Sequence, residues 1–181
     1  MFVTVIMPLA DGHDVSQAVF SGLCRQTVSW TYQPTTRPAQ DLMPRISEGL
    51  SRRIGLEQVL VCNELTHLAG VVMMDRDVAL ANATVLERAI NRLAEGVTMV
   101  HVRCKARYTP TDHMDIGCVV VEACKETLED LRDVFAAVQC PSGCWCGEVQ
   151  RMCAARKYVQ EWLSDEQEAV SVSYAKRGKH G

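Results

Sequence analysis

Short apolar runs, each bounded by polar or turn-forming residues, recur along the chain. Runs of this kind are typical of strands that are buried on both faces, as in a parallel sheet. They predict strands at residues 2–7, 27–32, 68–74, 97–103, 116–121 and 169–174. Pro8 closes the first of these strands. Residues 33–38, which follow the second, contain two prolines and predict a rigid loop.

Between these runs, apolar residues recur every three or four positions, which is the spacing of one face of a helix. This spacing predicts helices at residues 14–26, 41–54, 82–96, 125–138 and 148–163. Residues 57–62 are compatible with helix or strand, because periodicity cannot decide over six positions. Strands that alternate with helices favour a single α/β domain, built as a sandwich around a mostly parallel sheet. We expect this domain at residues 1–174 and a flexible basic tail at residues 175–181.

The most informative pattern is the apolar run Leu68–Met74, which opens into two acids, Asp75 and Asp77. In open α/β sheets, ligands bind just outside the carboxyl ends of the strands. Two carboxylates on the same side of an extended backbone can there share a hard divalent cation, Mn²⁺ or Mg²⁺. The alternative is a strand that ends in a solvated acidic turn, because D-x-D is short and occurs often by chance.

Composition narrows the class of protein. The chain has 181 residues, of which 48% are hydrophobic, as in an ordinary globular domain. Its net charge of −3 provides no general attraction to nucleic acid or to anionic membranes. No apolar run reaches the roughly 18 residues of a spanning helix, and the first residues do not form a signal peptide. We therefore expect a cytoplasmic protein with no nucleic-acid partner and no membrane span.

Nine cysteines are a high count, and four of them are clustered. The odd total and the absence of a secretion signal argue against a disulfide framework. The cluster has the spacing C-x3-C-x-C-x6-C, formed by Cys140, Cys144, Cys146 and Cys153. This spacing is not one of the usual paired arrangements of structural zinc sites. A zinc-stabilised interaction protein stays an alternative, and free thiols around a turn-rich loop are our expectation.

The order of the motifs in the N-terminal half resembles that of family-2-type glycosyltransferases of the GT-A fold. In VTVIMPLADGHDVSQAVFSGLCRQT, a strand ends in Pro8 and a helix ends in a Gln-Thr pair. LSRRIG is similar to the family's Ala-Arg-Asn-x-Gly segment, with Arg52 at the arginine position on the polar surface of its helix. THLAGVVMMDRDVAL is similar to its D-x-D strand. The resemblance implies that Pro8, Arg52, Asp75 and Asp77 bind the nucleotide-sugar donor, and that the two aspartates hold the metal.

The C-terminal half continues the resemblance. HMDIGCVVVEACKETLEDL is similar to the strand that faces the acceptor, which implies acceptor contacts for His113 and Asp115. CWCGEVQRMCAARKYVQEW resembles the helix that carries the catalytic acid, although the family's Glu-Asp pair is reduced here to Gly147-Glu148. It implies that Glu148 is the catalytic base. Trp145, next to this motif, is a candidate platform under an acceptor sugar.

The resemblance implies a GT-A-like enzyme that transfers a sugar, with inversion, from a nucleotide-diphospho-sugar to an unknown acceptor. Two departures from the family pattern are visible. The second strand, WTYQPTT, lacks the paired acids that hold the nucleobase and ribose, and no late histidine stands near residues 172–174. The missing acids favour the alternative of a non-catalytic nucleotide- or partner-binding module on the same fold, whereas the D-x-D favours the enzyme.

Overall fold

A computed structural model describes residues 1–9, 15–36, 44–62, 65–76, 78–102, 117–137, 145–163 and 169–171. Its strands are β1 (Phe2–Leu9), β2 (Ser29–Thr36), β3 (Gly70–Met74), β4 (Val78–Leu80), β5 (Met99–His101), β6 (Cys118–Val121), β7 (Gln160–Trp162) and β8 (Ala169–Ser171). Its helices are α1 (Gln17–Cys24), α2 (Pro44–Val61), α3 (Val85–Ala94), α4 (Lys125–Ala137) and α5 (Trp145–Arg156), with a 3-10 turn at Leu65–His67. Within these described ranges, no helix combines the length and the apolar character needed to cross a membrane.

One sheet contains most of the strands, in the order β2-β1-β3-β6-β5-β7. β6 runs antiparallel to β3 and β5, and the other neighbouring pairs are parallel. All strands of this sheet except β6 therefore point the same way, and the predicted mostly parallel sheet is confirmed. In this order, the strands predicted at residues 2–7, 68–74 and 116–121 are neighbours.

Helices cover both faces of this sheet, because consecutive strand residues enter two different apolar clusters. Val72 belongs to a buried cluster that contains Leu23 of α1 and Leu86 of α3. The next residue, Met73, belongs to a cluster on the other face that contains Leu56 of α2 and further residues of α4 and α5. The predicted α/β/α sandwich is therefore confirmed.

The second strand is longer than predicted. β2 continues to Thr36, so residues 33–36 are strand rather than loop. Pro34 lacks the N–H group that a central strand would need. β2, however, is an edge strand that pairs only with β1, and proline is tolerated in edge strands.

The second helix is also longer than predicted. α2 runs without a break to Val61, so the predicted end at residue 54 is wrong, and the ambiguous residues up to 61 are helix. Gly55 does not end this helix. A Cβ atom at Gly55 would lie 2.5 Å from Cγ2 of Ile6 and 3.0 Å from Cγ2 of Thr35. The glycine therefore lets α2 approach β1 and β2 closely.

The last predicted helix ends earlier than predicted, and a strand follows it. α5 ends at Arg156, where the prediction continued to residue 163. Lys157 has a φ of 59°, in the left-handed region, and the N–H of Tyr158 donates to the carbonyl of Cys153 at 2.9 Å. This geometry is that of a helix C-terminus. The chain then forms β7, which pairs in parallel with β5.

A second, two-stranded sheet joins β4 to β8. The pattern did not predict β4, which has only three residues. The predicted last strand is confirmed at residues 169–171, and residues 172–174 lie outside the described part. The first helix begins later than predicted: Ser16 is its N-cap, with its hydroxyl accepting the N–H of Val19 at 3.3 Å. Residue 14, where the helix was predicted to begin, lies outside the described residues.

Candidate active site at the carboxyl edge of the sheet

Pro8 and Asp75 lie side by side at one edge of the sheet, as predicted. β1 and β3 are parallel, with Ile6 opposite Met73, so each of the two site residues follows two positions later. On the other side of Pro8, its partner in β2 is Thr35. Ligands of open α/β sheets bind at this kind of edge. The edge is therefore the natural candidate for a ligand site.

Both backbone groups of Asp75 are fixed. Its N–H donates to the carbonyl of Gly117 at 2.9 Å, and its carbonyl accepts the N–H of Val78 at 3.1 Å. The second bond spans four residues and closes a tight turn between β3 and β4. Asp77 belongs to this stretch of sequence and lies outside the described residues. The turn holds the first acid of the D-x-D at the edge of the sheet, with 13% of its side chain exposed.

Arg52 is buried, which corrects its predicted place on the polar surface of the helix. Its side chain is 4% exposed, and its Nη2 atom donates to Oδ1 of Asp75. The guanidinium carbon also lies 5.9 Å from the ring centroid of Phe135 of α4. Arg52 precedes Leu56 and Val59 by four and seven positions, so it lies on the buried side of α2. A direct contact of Arg52 with the donor remains a prediction.

Two polar atoms near this ion pair are buried without a hydrogen-bond partner, the Oγ of Ser51 and the Nε of Arg52. A buried polar group without a partner costs about 1–3 kcal/mol. Ser51 lies one helical turn before Gly55, on the side of α2 that faces β1 and β2. Both atoms can form a hydrogen bond with a ligand or a water molecule. Ser51 stands where the resembling segment has alanine, so the motif did not predict a role for its hydroxyl.

The end of β2 carries hydroxyl groups instead of acids. Thr35 is buried, and its hydroxyl donates to the carbonyl of Met7 at 3.2 Å. The contact of its methyl group with the position of Gly55 shows that Thr35 faces α2. The strand therefore offers no carboxylate over its described residues 29–36.

Glu148 lies in the first turn of α5, toward the same edge of the sheet as Asp75. The other end of α5 leads to Val159, whose carbonyl accepts the N–H groups of Thr98 and Met99 at the amino end of β5. Because a 12-residue helix is about 18 Å long, its first turn lies toward the carboxyl edge. The side chain of Glu148 is 40% exposed and pairs with Arg151 one turn later.

The side chains of the three predicted acceptor residues lie outside the described part of the chain. Trp145 is the first residue of α5, and its side chain is outside the described part of the chain. His113 and Asp115 belong to a segment that is not described. Gly117 is the first described residue after that segment, and its carbonyl accepts the N–H of Asp75. Their role at the acceptor stays a prediction.

His101 is a buried titratable residue that the sequence analysis did not select. It is the last residue of β5 and is 1% exposed, and its Nε2 atom lies 3.0 Å from Oε1 of Gln160. Its Nδ1 atom has no partner, and its ring lies 5.0 Å from that of Trp162. Burial lowers the pKa of His101, and the bond to Gln160 opposes this shift. A single histidine in an alternating strand gives no sequence signal that its ring is buried and its pKa is lowered.

The cysteine cluster is only partly described. Cys153 is buried, and its Sγ atom lies 3.7 Å from the sulfur of Met99. Burial raises the pKa of its thiol to about 11, so the thiol is protonated at neutral pH. Cys140 and Cys144 lie outside the described residues. Within the described ranges, no group of three or more His, Cys, Asp or Glu residues is arranged to hold a metal ion.

Comparison with known proteins identifies the fold. No family model and no curated protein matches the sequence. A glycosyltransferase involved in the glycosylation of the major capsid of PBCV-1 has a TM-score of 0.61 at 12% identity, over 98% of both chains. S. aureus TarS 1–349 in complex with UDP has a TM-score of 0.59 at 13% identity, over 94% of this chain and 60% of that one. The chain has a GT-A-like glycosyltransferase fold, as the motif order predicted.

Proposed function

We propose that the chain transfers a sugar from a nucleotide-diphospho-sugar to an acceptor hydroxyl, with inversion, at the carboxyl edge of β1 and β3. The observation that carries this proposal is the fixed position of Asp75 beside Pro8. Two backbone hydrogen bonds and the ion pair with Arg52 hold the acid there. The likeness to glycosyltransferases supports the proposal, and one of the similar structures is a complex with UDP.

Asp75 and Asp77 would hold Mn²⁺ or Mg²⁺. The residues fit such an ion, because Asp75 lies at the edge in a tight turn and carboxylate oxygens are the ligands that hard divalent cations prefer. When bound, the ion would neutralise negative charge that develops on the departing diphosphate. Pro8 and the buried hydroxyl of Ser51 border the place where the nucleoside part of the donor would bind.

Glu148 is the proposed general base. The acceptor oxygen forms a bond to the anomeric carbon while the bond from that carbon to the diphosphate oxygen breaks. The acceptor proton moves to a carboxylate oxygen of Glu148, and the diphosphate leaves with the bonding electrons. Attack from the face opposite the leaving group inverts the anomeric centre. The partial exposure of Glu148 leaves it accessible to an acceptor, for which His113, Asp115 and Trp145 are the proposed contacts.

One observation favours a second function, that of a non-catalytic nucleotide- or partner-binding module. The end of β2 presents no acid to a ribose or a nucleobase over its described residues, and the hydroxyl of Thr35 is used on the carbonyl of Met7. A site with neutral groups in this place holds a nucleoside through fewer charge-assisted hydrogen bonds. Binding without transfer would follow from weaker orientation of the donor.

The two functions are separated by titration calorimetry of UDP and GDP, with and without Mn²⁺, combined with an assay for hydrolysis or transfer from UDP- and GDP-sugars. We expect nucleotide binding that depends on Mn²⁺. Asp77→Asn should weaken this binding about ten- to hundred-fold, because it removes one charged ligand of the ion and keeps the side-chain shape. Wild type that binds neither nucleotide at millimolar concentration would contradict both the transferase and a nucleotide-binding module and would leave the partner-binding module. An Asp77→Asn variant that binds normally would contradict the metal site.

Glu148→Gln tests the base separately. We expect it to bind nucleotide as wild type does and to lose sugar transfer, because a general base acts only in the chemical step. Glu126→Gln is a matched control, since Glu126 is an exposed acid in the first turn of α4. The control should change neither property. Nucleotide binding by wild type without any transfer or hydrolysis would favour the binding module.

A further inference from the structure

A large aromatic side chain is exposed on β7, the outermost strand of the sheet beyond β5. Trp162 is the last residue of β7, which pairs only with β5 among the described strands, and 38% of its surface is exposed. It lies opposite His101, the last residue of β5. Burial of an exposed tryptophan by a ligand is favourable, because its ring offers a large rigid surface. Trp162 is therefore a candidate contact for a ligand at this strand.

Trp162 lies toward the same edge of the sheet as Asp75. Val119 of β6 lies opposite both Met73 of β3 and His101 of β5, so Met73, His101 and Trp162 lie at one level across the sheet. Asp75 follows Met73 by two positions. Three strand spacings, roughly 15 Å, separate β3 from β7. This separation leaves room for a diphosphate and a donor sugar between Asp75 and Trp162.

Trp162 also faces the same side of the sheet as α5. Its neighbour Glu161 accepts a hydrogen bond from Nε of Arg92 in α3 at 2.8 Å, so Glu161 faces the opposite helix layer. Successive side chains of a strand point to opposite faces of the sheet. α5 packs over this part of the sheet, since Sγ of Cys153 lies 3.7 Å from the sulfur of Met99 in β5. Trp162 therefore faces the layer that carries the proposed base.

One face of the indole ring of Trp162 is covered. The ring centroid of His101 lies 5.0 Å from that of Trp162, with an angle of 32° between the two planes. Nε2 of His101 lies 3.0 Å from Oε1 of Gln160, which orients the imidazole. The exposed surface of Trp162 therefore belongs to the other face and to the rim of the indole. An aromatic face that is already fixed loses little conformational freedom when a ligand stacks on it.

The strand around Trp162 presents neutral polar groups on this face. Burial lowers the pKa of His101 below its ordinary value, so its ring is uncharged at neutral pH. Gln160 contributes a neutral amide. Glu161 is the charged residue among residues 159–163, and its carboxylate forms an ion pair with α3 on the other face. A neutral ligand with hydroxyl groups therefore fits these surroundings better than an ion.

We propose that the acceptor is a carbohydrate and that one of its sugar rings stacks on the exposed face of Trp162. The assignment of this sugar to the acceptor rests on the proposed function, since it assumes a donor at Asp75. The face of an indole carries partial negative charge, which attracts the C–H groups on the apolar side of a pyranose ring. The hydroxyl groups at the rim of that ring stay free for hydrogen bonds and for the reaction with the donor.

The test is a titration of the full chain, with UDP and Mn²⁺ present and absent, with the methyl pyranosides of glucose, galactose, mannose and N-acetylglucosamine. The indole N–H resonances in NMR spectra are followed. Sorbitol is the control ligand, because it carries similar hydroxyl groups but no ring. Trp162→Leu removes the aromatic face, and Trp162→Tyr keeps one. Trp30→Leu is the matched control, since Trp30 lies near the amino end of β2 and packs edge-on against Phe20.

We expect at least one pyranoside to shift the Trp162 resonance and sorbitol to leave it unchanged. Trp162→Leu should bind that pyranoside at least about five-fold more weakly, because stacking is lost, and Trp162→Tyr should keep most of the affinity. Trp30→Leu should bind it as wild type does. The inference is overturned if wild type binds no pyranoside at tens of millimolar, if Trp162→Leu binds as well as wild type, or if Trp162→Tyr loses as much affinity as Trp162→Leu.

Calorimetry of UDP and GDP with Mn²⁺ separates this inference from the proposed function. Wild type that binds a nucleotide but no pyranoside keeps the proposed function and overturns the sugar site. Wild type that binds a pyranoside at Trp162 but neither nucleotide overturns the transferase and, with it, the acceptor role. The pyranoside that binds should also receive a sugar from a UDP- or GDP-sugar, with a higher KM in Trp162→Leu. A bound pyranoside that receives no sugar would overturn its assignment as acceptor.

An edge strand with an exposed aromatic residue can also pair with a second copy of the chain, and a second arm of the experiment tests this occupant. Sedimentation equilibrium is measured for wild type and Trp162→Leu. We expect the same mass for both proteins. If the substitution dissociates a dimer and wild type binds no pyranoside, Trp162 belongs to an interface between copies and the inference is wrong.

Discussion

The buried ion pair between Arg52 and Asp75 sets the properties of the candidate site at the scale of single residues. The arginine comes from α2 and the aspartate from the end of β3, so the pair joins one helix layer to the sheet. Removing one partner of a buried pair leaves the other charge uncompensated, which costs about 3–5 kcal/mol. The pair therefore links the stability of the domain to the position of the first acid of the D-x-D.

Arg52→Met should lower the free energy of unfolding by about 3–5 kcal/mol, since it leaves Asp75 without its charged partner. Arg53→Met is the matched control, because the side chain of Arg53 is 42% exposed and pairs with Glu57 on the helix surface. The control should cost less than about 1 kcal/mol. Urea unfolding of both variants measures the difference. Equal losses in the two variants would show that the pair with Asp75 adds no stability.

His101 predicts a pH dependence of stability. Burial lowers its pKa in the folded state below the ordinary value near 6.5 of the unfolded chain. The unfolded chain therefore binds a proton first as the pH falls, and stability decreases below about pH 6.5 by up to roughly 1.4 kcal/mol per pH unit. The decrease ends once the pH is below the folded-state pKa.

Unfolding of wild type, His101→Gln and His67→Gln between pH 5 and 8 measures this contribution. His67 is exposed, so its replacement should leave the pH dependence unchanged. His101→Gln should flatten it. A His101→Gln variant that loses stability toward pH 5 as steeply as wild type would exclude His101 as the source.

At the scale of elements, local rules predicted which segments are strands and helices but not where several of them end. Gly55 is an example, because a glycine after an apolar stripe is a common helix stop. Its actual reason is the approach of α2 to Ile6 and Thr35, residues that are distant in sequence. Pro34 is tolerated because β2 is an edge strand, which depends on the whole sheet order. Such long-range causes are absent from local patterns.

Gly55→Ala should destabilise the domain by about 1–3 kcal/mol, because the clash with Ile6 and Thr35 outweighs the gain in helix propensity. Gly147→Ala is the matched control. Gly147 also lies in a helix, and a Cβ atom there would have no atom within 4 Å. The control should raise stability by up to about 1 kcal/mol. Urea midpoints of the two variants measure the contrast, and a stabilising Gly55→Ala would contradict the close approach.

The Gln-Thr pair that supported the resemblance has a structural role in this chain. The side-chain amide of Gln26 donates to the carbonyls of Gly22 and Asn82, and its oxygen accepts the N–H of Leu86. It therefore connects the end of α1 to the start of α3. A motif selected for a functional family thus describes, at these residues, the packing of two helices on the same face of the sheet.

At the scale of the whole molecule, the sequence predicted the fold more completely than the site. The alternation of strands and helices was enough to predict the sandwich. It was also enough to predict that the strands before Pro8 and Asp75 end at the same edge of the sheet. The pairing of Asp75 with the buried Arg52 could not be predicted, because it depends on how α2 packs against the sheet. The approach of β8 to β4 could not be predicted either, since it joins residues about 90 positions apart.

The apolar core leads us to expect that the fold is stable without a structural zinc ion. Two apolar clusters lie one on each face of the sheet. Within the described part, residues of α1 and α3 belong to one cluster and residues of α2, α4 and α5 belong to the other. A structural zinc site contributes directly to folding, so its removal lowers stability. One of the four clustered cysteines, Cys153, is instead packed against Met99, and burial raises its pKa to about 11. A protonated thiol must lose its proton before it can bind zinc.

We therefore expect purified protein to contain no stoichiometric zinc and its urea midpoint to be unchanged by a chelator. Elemental analysis and unfolding with and without EDTA measure both properties. Cys144→Ser and the exposed Cys62→Ser are a matched pair, one inside the cluster and one outside it. If one equivalent of zinc is found, and if Cys144→Ser loses both the metal and stability while Cys62→Ser keeps them, the cluster is a zinc site. The metal would then stabilise the segment before α5, and with it the position of Glu148.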